Sequence, residues 1–349
     1  AAHGEGAVMA TLSPTALALT LAHERGVETR PVSDRAEWLR WRAQDVTASA
    51  AGALLGIHEY VTPFALWHEK RGTGQPTEPD APTITADEIT LSPLARGTRL
   101  EPLAVEMIQE LRPGWTIEPA RHYFRLPAAR IGATPDVLAI DPERDGLGII
   151  QIKTVGEWAA SKWRDADTGD MVPPLWIAVQ AIIEADLTGA SWAAVAALRT
   201  GGALSLRLID IPVHARTMAR VRTEVAEFWR RVEADDAYPP DYARDGDLIR
   251  WLYRDDDGSE IDLSGDARIG EIVAQRAALK AREADGDAAE KERKPLDAEI
   301  VARLGNATRG RLADGRMIEA PTRRRKEFVS AASTWRQITI KQPKKEAAE

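Results

Sequence analysis

Aliphatic and turn-forming residues alternate in the middle of the chain. Residues 137–152 carry an aliphatic run at each end and a dense cluster of Asp, Pro and Gly at positions 141–146. This pattern predicts a β-hairpin. If the hairpin is symmetric about its turn, Asp136 lies opposite Gln151. The two-residue period of a strand then puts Lys153 on the same face as Gln151, while the isoleucines flanking Gln151 point the other way.

Helical periodicity predicts helices on both sides of this hairpin. A helix that includes Trp38 breaks at a Thr/Ser-rich segment, and residues 94–111 have apolar positions that form one buried stripe. An apolar helix follows the two prolines at 173–174, and it carries Gln180 and Glu184 on one face because they are four residues apart. Two further strands around a Gly-Gly turn come next.

The last third of the chain has a different composition. Residues 266–304 are rich in Ala, Glu, Lys and Arg, with a helix breaker at 285–287, and they predict two helices in an antiparallel hairpin. Residues 306–341 contain short β-prone runs and a basic cluster at 323–326, and a charged tail follows. This part has candidate surfaces for DNA, a partner protein or a neighbouring subunit. A solvated helical hairpin with a charge-balanced tail accounts for the same pattern.

Composition and charge exclude several classes of protein. The 349 residues are 44% hydrophobic, which is enough for a full core and an extra module, and the net charge of −8 argues against a protein that coats nucleic acid through bulk charge. Without cysteine there is no disulfide, thiolate zinc site or cysteine nucleophile. The six histidines lack zinc-site spacing, and no Gly-rich phosphate loop is present.

No apolar run is long enough to span a bilayer, so we expect a cytoplasmic protein. Residues 1–8 are expected to be an unstructured lead-in, with Met9 as a candidate native start.

The predicted hairpin brings together residues that suit metal-dependent hydrolysis. Opposed side chains on paired strands are about 5 Å apart at Cβ, a spacing that lets Asp136 and Gln151 bind one divalent cation beside the Lys153 ammonium. Because an amide attracts Mg²⁺ less than a carboxylate does, we expect weaker metal binding unless another acid compensates. An ordinary exposed hairpin with a surface Asp and Lys is the structural alternative.

Pro135-Asp136 followed by Gln151-Ile152-Lys153 resembles the signature of the PD-(D/E)xK nuclease superfamily, with an amide at the second acidic position. A natural variant and an inactivating replacement of a glutamate would both give this sequence. By this resemblance the catalytic residues are Glu101, Asp136, Gln151, Lys153 and Gln180. The metal ligands are Asp136, Gln151, Glu101 and the backbone carbonyl of Ile152.

Three further segments, in the same order along the chain, resemble the lambda exonuclease and YqaJ-like viral recombinase family. The segment from Trp38 to Ser49 is similar to one in which an Arg and a Ser hold the 5′-phosphate of the degraded strand, which implies that role for Arg42 and Ser49. The Arg-Gly motif at 96–97 precedes Glu101. In the family, the glutamate at this place points at the metal site, which implies the same for Glu101. Pro102 predicts either a kink or a helix start there.

Gln180 matches the helical glutamine of that family, although Glu184 replaces the aromatic residue that completes its motif. A buried glutamine bonded to nearby main chain is the alternative explanation for Gln180.

The resemblance implies an α/β fold, with a PD-(D/E)xK restriction-endonuclease-like core in which helices flank a central mixed sheet, plus a C-terminal helical hairpin and a small β element. The expected division is a lead-in with a helix (1–30), the exonuclease core (31–245), the helical hairpin with the small β element (246–341) and a charged tail (342–349).

The function implied by this resemblance is a Mg²⁺-dependent 5′-to-3′ exonuclease, with Mn²⁺ able to substitute, that degrades one strand of double-stranded DNA during phage-type recombination in a bacterial host cell. A trimeric ring and a single-strand annealing protein as partner are implied as well. Two alternatives stay open: a structure-specific or restriction-type endonuclease of the same fold, and a DNA-end-binding module weakened in catalysis by Gln151.

Overall fold

The structure, a computed structural model, describes residues 12–75, 83–84, 87–282, 287–324 and 334–341. The α-helices are α1 (Pro14–Glu24), α2 (Arg35–Ala43), α3 (Ala48–Ala51), α4 (Pro63–Arg71), α5 (Pro93–Leu111), α6 (Leu175–Thr188), α7 (Ala215–Glu233), α8 (Gly246–Leu252), α9 (Ala267–Arg282) and α10 (Asp287–Leu304).

The strands are β1 (Glu28–Pro31), β2 (Val46–Thr47), β3 (Thr83–Ile84), β4 (Ile89–Thr90), β5 (Thr116–Pro119), β6 (His122–Leu126), β7 (Ile131–Ala133), β8 (Val137–Ile140), β9 (Leu147–Gly156), β10 (Trp192–Gly201), β11 (Ala203–Ile211), β12 (Glu260–Asp262), β13 (Arg309–Arg311), β14 (Met317–Glu319), β15 (Thr322–Arg324), β16 (Thr334–Arg336) and β17 (Thr339–Lys341). A 3₁₀ helix, Glu157–Trp163, follows β9.

Local sequence signals explain where several helices begin and end. The side chains of Asp34 and Ser92 accept hydrogen bonds from backbone N–H groups in the first turns of α2 and α5, at 2.7 and 3.0 Å. Helix α6 ends at Gly189, whose φ of 73° is the left-handed conformation that glycine adopts at low cost. These polar caps and the glycine each define one end of a helix.

The central sheet has five strands in the order β11-β10-β9-β8-β5. Strands β9 and β10 are parallel, and the other neighbouring pairs are antiparallel. The predicted hairpin is β8–β9, and the predicted pair of strands around the Gly-Gly turn is β10–β11. Together with the flanking helices, this sheet confirms the predicted α/β class with a central mixed sheet.

Helices cover both faces of this sheet. Ala104 and Ile108 of α5 pack in one hydrophobic cluster with Ile150 and Ile152 of β9. Gln151, between those two isoleucines, faces the opposite side, where it bonds to α6. The two-residue period of β9 therefore separates an apolar face under α5 from a polar position under α6.

Pro102 lies inside α5, which begins nine residues earlier at Pro93. Of the two outcomes that the sequence predicted, a helix start at Pro102 is therefore wrong. The cap by Ser92 and the apolar stripe of the helix define its beginning instead.

A second sheet lies beside the N-terminal helices, with the order β1-β6-β7-β2. Strand β2 has only two residues, and it pairs in parallel with β7 through Val46 and Thr47. Since β2 connects α2 to α3, this pairing fixes the path of the chain between the two short helices.

The chain divides into two compact units, Ala1–Pro63 with Thr77–Asp236, and Phe64–Pro76 with Ala237–Glu349. These ranges differ from the expected ones, and residues 237–245 fall in the second unit. Helix α1 is part of the first unit, and most of α4 belongs to the second, because Phe64 packs in a hydrophobic cluster with Ile249.

The second unit contains the helical hairpin and the small β element that the sequence predicted. Helices α9 and α10 run antiparallel, since Arg276 pairs with Asp297 and Asp266 pairs with Arg303. Their apolar faces pack on a sheet of order β12-β13-β14-β17. The proposed lead-in at 1–8 with Met9, the charged tail and most of the predicted helix breaker at 285–287 lie outside the described residues.

Within the described residues, no helix combines the length and the apolar character needed to cross a membrane.

Candidate active site

The register of β8 and β9 brings the predicted acid and amide together. The ladder pairs Val137 with Ile150, so the next position of the same register places Asp136 opposite Gln151. The Asp136 Oδ2 atom accepts a hydrogen bond from the Ile152 backbone N–H at 2.7 Å and another from Gln151 Nε2. The symmetry argument from the turn therefore gave the correct register.

The Gln151 amide presents its nitrogen, not its oxygen, to Asp136. Its Oε1 atom accepts a hydrogen bond from Gln180 Nε2 at 2.9 Å. The predicted arrangement, in which oxygens of Asp136 and Gln151 both face a cation, needs the amide turned by half a rotation about its last bond. Such a turn exchanges a donor for an acceptor and leaves the backbone in place.

Helix α6 contributes two polar side chains to the same buried cluster. Gln180 Nε2 donates to Gln151 Oε1 and also to Glu184 Oε1, each at 2.9 Å. Both of these α6 residues are buried, and each has one side-chain oxygen, Gln180 Oε1 and Glu184 Oε2, that is buried without a hydrogen-bond partner. Unsatisfied buried acceptors are costly, and here they border the predicted metal position.

Glu184 was not predicted as a site residue. The available signals were its position four residues after Gln180 and its polar character in a helix that is otherwise largely apolar. The family motif has an aromatic residue at this position, so a comparison with the motif gives no reason to select a glutamate there.

Burial raises the pKa of each carboxyl group in this cluster, and for two of them the charge of Asp136 adds to that shift. Desolvation raises the pKa of Asp136, and the Lys153 ammonium and the bonds to Oδ2 oppose that shift only in part. Burial, followed by the charge of Asp136, raises the pKa of Glu184 well above its usual value. The same two causes raise the pKa of Glu101 to about 7. The positive charge of Lys153 lowers all three pKa values but does not offset the burial.

Lys153 is the cation that these acids share. It lies two residues after Gln151 on β9, and its ammonium is 5.9 Å from the ring centroid of Trp176, the second residue of α6. Three carboxyl groups and one ammonium leave an excess of two negative charges when all are ionised, which is the charge of one divalent cation.

These residues can hold such a cation only if neutral amide and carbonyl oxygens act as ligands together with the carboxylates. Among the described residues, no three His, Asp or Glu side chains converge closely enough to hold a metal by themselves. Asp136, Glu101, the Gln151 amide oxygen and the Ile152 carbonyl would supply an oxygen-only site, as Mg²⁺ prefers. The unpartnered Oε2 of Glu184 offers a further acid at the edge of that set.

Arg42 and Ser49 also lie together. The Arg42 guanidinium is 3.5 Å from Ser49 Oγ and stacks over the Trp38 ring at 4.4 Å. Ser49 Oγ is 3.1 Å from Thr47 Oγ1. Because α3 has only four residues, any anion bound here would depend on these side chains rather than on a helix terminus.

His58 connects this pair to the acid cluster. Its Nδ1 atom accepts from the backbone N–H groups of Tyr60 and Val61, so Nε2 carries the proton and donates to the Ser49 carbonyl at 3.0 Å. The His58 ring lies 4.5 Å from the Trp176 ring, and the Lys153 ammonium lies 5.9 Å from the same ring. One aromatic side chain therefore separates the two groups of predicted site residues.

A buried ion pair supports the Arg42 side of the site. Asp45 is fully buried and accepts two hydrogen bonds from Arg125 and one from the Tyr123 hydroxyl, all at 3.0 Å. Gly132 is required beside them, because a Cβ atom there would lie 1.9 Å from the Tyr123 hydroxyl oxygen. This network anchors the chain between α2 and β2.

Comparison with known proteins gives one family. Residues 37–191 match the model of the YqaJ-like viral recombinase domain, a range that includes the predicted site residues. No curated protein sequence matches the chain significantly.

Solved structures with a similar fold include an alkaline exonuclease (LHK-Exo) from Laribacter hongkongensis, at 22% identity over 58% of this chain and 94% of that one, with a TM-score of 0.42. A SOX–DNA complex matches at 11% identity over 57% of this chain and 67% of that one, with a TM-score of 0.35.

Proposed function

Because residues 37–191 of this chain form a YqaJ-like viral recombinase domain, we propose that the protein is a deoxyribonuclease of the lambda exonuclease type. The observation that carries the proposal is the buried hydrogen-bond chain from Asp136 through Gln151 and Gln180 to Glu184, with Lys153 on the same strand. An acid cluster with an ammonium beside it suits hydrolysis of a phosphodiester.

The proposed cofactor is Mg²⁺, with Mn²⁺ able to substitute. Asp136, Glu101, the Gln151 amide oxygen and the Ile152 carbonyl would hold it, and Glu184 would add the charge that Gln151 lacks. When bound, the cation would stabilise the negative charge that develops on the phosphate.

The side chains of the protein would do the remaining work. Lys153 would orient the attacking water and accept or share its proton, while Gln180 would fix the water or the substrate backbone by hydrogen bonding. Arg42 and Ser49 would bind a terminal 5′-phosphate, which sets the direction of degradation as 5′ to 3′ along one strand of a duplex. A ring-shaped trimer and a single-strand annealing protein as partner complete the proposal by resemblance to the family.

The test is cleavage of end-labelled duplex DNA as Mg²⁺ or Mn²⁺ is titrated. A linear duplex with a 5′-phosphate should be degraded faster than one without it, and a closed circle should be resistant. Cleavage of the circle would instead favour a structure-specific or restriction-type endonuclease.

Variants of the proposed site make this test specific. Asp136→Ala and Lys153→Ala should each abolish cleavage while the circular dichroism spectrum stays unchanged. Asp145→Ala, an exposed acid in the turn of the same hairpin, is the matched control and should cleave normally. Near-normal activity of either site variant would remove the proposed centre.

One observation favours a second candidate, a DNA-end-binding module with weakened catalysis. The Gln151 amide donates to the carboxylate that should hold the metal. Binding of duplex ends without turnover in either metal, with turnover restored by Gln151→Glu, would establish that candidate.

A further inference from the structure

The second unit contains a large cavity with a basic lining. Its volume is about 1130 Å³. Five cationic and two acidic side chains line it, and they are Arg250, Arg254, Arg276, Lys280, Arg293, Asp247 and Asp297. The chain as a whole has a net charge of −8, so this concentration of positive charge is local.

The two acids of the lining neutralise only part of this charge. Asp297 pairs with both Arg276 and Arg293, and Asp247 pairs with Arg250 at 2.5 Å. The pairs with Asp297 are largely buried and fix Arg276 and Arg293 in place, because a guanidinium that bonds to a carboxylate has a defined orientation. The Asp247–Arg250 pair joins two exposed side chains and is weaker.

Lys280 and Arg254 supply the accessible positive charge. Lys280 is exposed and has no ion-pair partner within 4 Å among the described residues. Arg254 stacks over Trp251 at 3.9 Å, and its contact with Asp255, at 3.3 Å, joins two exposed side chains and is therefore weak. Even with Asp255 included, the cavity keeps an excess of positive charge, which a polyanion would compensate.

The apolar part of the lining indicates which polyanion fits. Trp251, Tyr253, Val301 and Ile338 also face the cavity. In a single strand the faces of the bases are available to such side chains, whereas a duplex keeps them stacked inside.

We propose that this cavity binds single-stranded DNA, with Lys280 and Arg254 contacting phosphates and Trp251 contacting a base. This goes beyond the proposed nuclease activity, because none of these residues belongs to the candidate active site. A single strand is also what remains when one strand of a duplex is degraded, so the cavity would hold a product of the proposed reaction.

The experiment measures fluorescence anisotropy of a labelled 20-nucleotide oligothymidine with the full chain in EDTA, where metal-dependent cleavage cannot occur. The double variant Lys280→Ala/Arg254→Ala should bind at least fivefold more weakly than the wild type. The slope of log K against log salt should fall by about 1.4, because each phosphate contact with a single strand contributes about 0.7. Trp251→Leu should weaken binding without changing the slope.

The matched control is Lys294→Ala/Arg309→Ala, which removes the same charge from exposed positions of the same unit outside the lining. It should bind like the wild type. Unchanged affinity in the cavity variant, or an equal loss in the control, would overturn the proposal. Tighter binding of a duplex of the same length through the same residues would overturn the single-strand assignment.

The outcome is separable from that of the proposed function. Asp136→Ala should lose cleavage of duplex DNA and keep its affinity for the oligothymidine, whereas the cavity variant should still cleave a short duplex. Circular dichroism melts check that each variant is folded.

Discussion

Gln151 donates to Asp136 with one end of its amide and accepts from Gln180 with the other. A glutamate at this position would place another negative charge against a buried carboxyl whose pKa is already raised by burial. The neutral amide therefore forms hydrogen bonds with both Asp136 and Gln180 in the metal-free protein. A carboxylate at this position would repel Asp136 unless a cation lay between them.

Gln151→Glu should consequently exchange stability for metal affinity. We expect the thermal midpoint in EDTA to fall, since the variant buries an additional acid, and the affinity for Mn²⁺ to rise about tenfold, since a carboxylate is the stronger ligand. Calorimetric titration and melts with and without metal measure both effects. Gln44→Glu, which adds the same charge at an exposed position, is the control and should change neither.

Glu184→Gln makes the opposite change in the same cluster. If its unpartnered oxygen faces the cation, Mn²⁺ affinity should fall several-fold, while the EDTA melt should shift upwards because a buried acid is removed. Unaltered metal affinity would assign Glu184 to packing alone.

The pKa of Glu101 predicts how stability changes with pH. Burial raises this pKa from 4.5 to about 7, so between these values the folded protein holds a proton that the unfolded chain has released. Without metal, the free energy of unfolding should therefore fall as pH rises from about 4.5 to 7 and then level off. The raised pKa values of Asp136 and Glu184 act in the same direction.

Melts of the metal-free protein across this pH range, compared for wild type and Glu101→Gln, measure the effect. The variant should show a shallower decline, because its amide does not titrate. Glu106→Gln alters an exposed glutamate of the same helix and should follow the wild type. A decline of the same steepness in Glu101→Gln would contradict the assignment.

The positions of the site residues could be predicted from the sequence better than the hydrogen bonds between their side chains. Turn symmetry is a property of the hairpin itself, so it placed Asp136 opposite Gln151 correctly. The orientation of the Gln151 amide depends on Gln180, which reaches it from a helix distant in sequence. Helical spacing put Gln180 and Glu184 on one face, but nothing in that spacing says which buried atoms lack a partner.

At the level of elements, the ion pair between Asp45 and Arg125 holds the segment between Arg42 and Ser49 in place. Asp45 lies two residues after the end of α2 and is held by Arg125 of β6. Because both partners are largely buried, loss of one leaves the other without compensation. The position of the proposed phosphate site thus depends on a contact between the N-terminal segment and the second sheet.

Asp45→Asn and Arg42→Ala should therefore differ in what they change. Asp45→Asn should lower the free energy of unfolding by about 3 kcal/mol, the scale of a broken buried pair, and should weaken the preference for phosphorylated ends indirectly. Arg42→Ala should erase that preference with a smaller change in stability, about 1 kcal/mol, the scale of its contact with the Trp38 ring. Urea unfolding and paired duplex substrates measure the two quantities, and an unchanged preference in Arg42→Ala would reject its role.

Element boundaries show which sequence signals were sufficient. The apolar stripe of α5 predicted its extent closely, yet Pro102 was compatible with a different start, because a proline constrains only its own neighbourhood. Helix α2 ends before the Thr/Ser-rich segment, as predicted, but the four-residue length of α3 follows from tertiary contacts. Gly52 packs against Trp176 of α6, where a Cβ atom would lie 2.8 Å from the tryptophan Cβ.

At the level of the whole molecule, the chain enters the second unit twice. Phe64–Pro76 belongs to it although the preceding and following segments belong to the first. The expected ranges followed composition, which changes near the last third of the chain. Composition could not reveal that Phe64 packs with Ile249, Ala298 and Val301, because those contacts join segments far apart in sequence.

A truncated chain tests this arrangement. Removal of residues 237–349 should leave a fragment in which the buried face of α4 has lost its cover, since Phe64 is only 7% exposed in the whole chain. We expect this fragment to bind the dye ANS more strongly than the full chain and to form larger species in size-exclusion chromatography, because exposed apolar surface promotes association.

Phe64→Ser provides the matched comparison. In the truncated chain it should lower ANS binding and association, because the apolar ring is no longer presented to water. In the full chain the same substitution should destabilise the protein by about 3 kcal/mol, since it removes a buried aromatic ring and leaves a cavity. A truncated chain that stays monomeric with background ANS fluorescence would show that α4 is covered without the C-terminal segment, and would contradict the division of the chain into these two units.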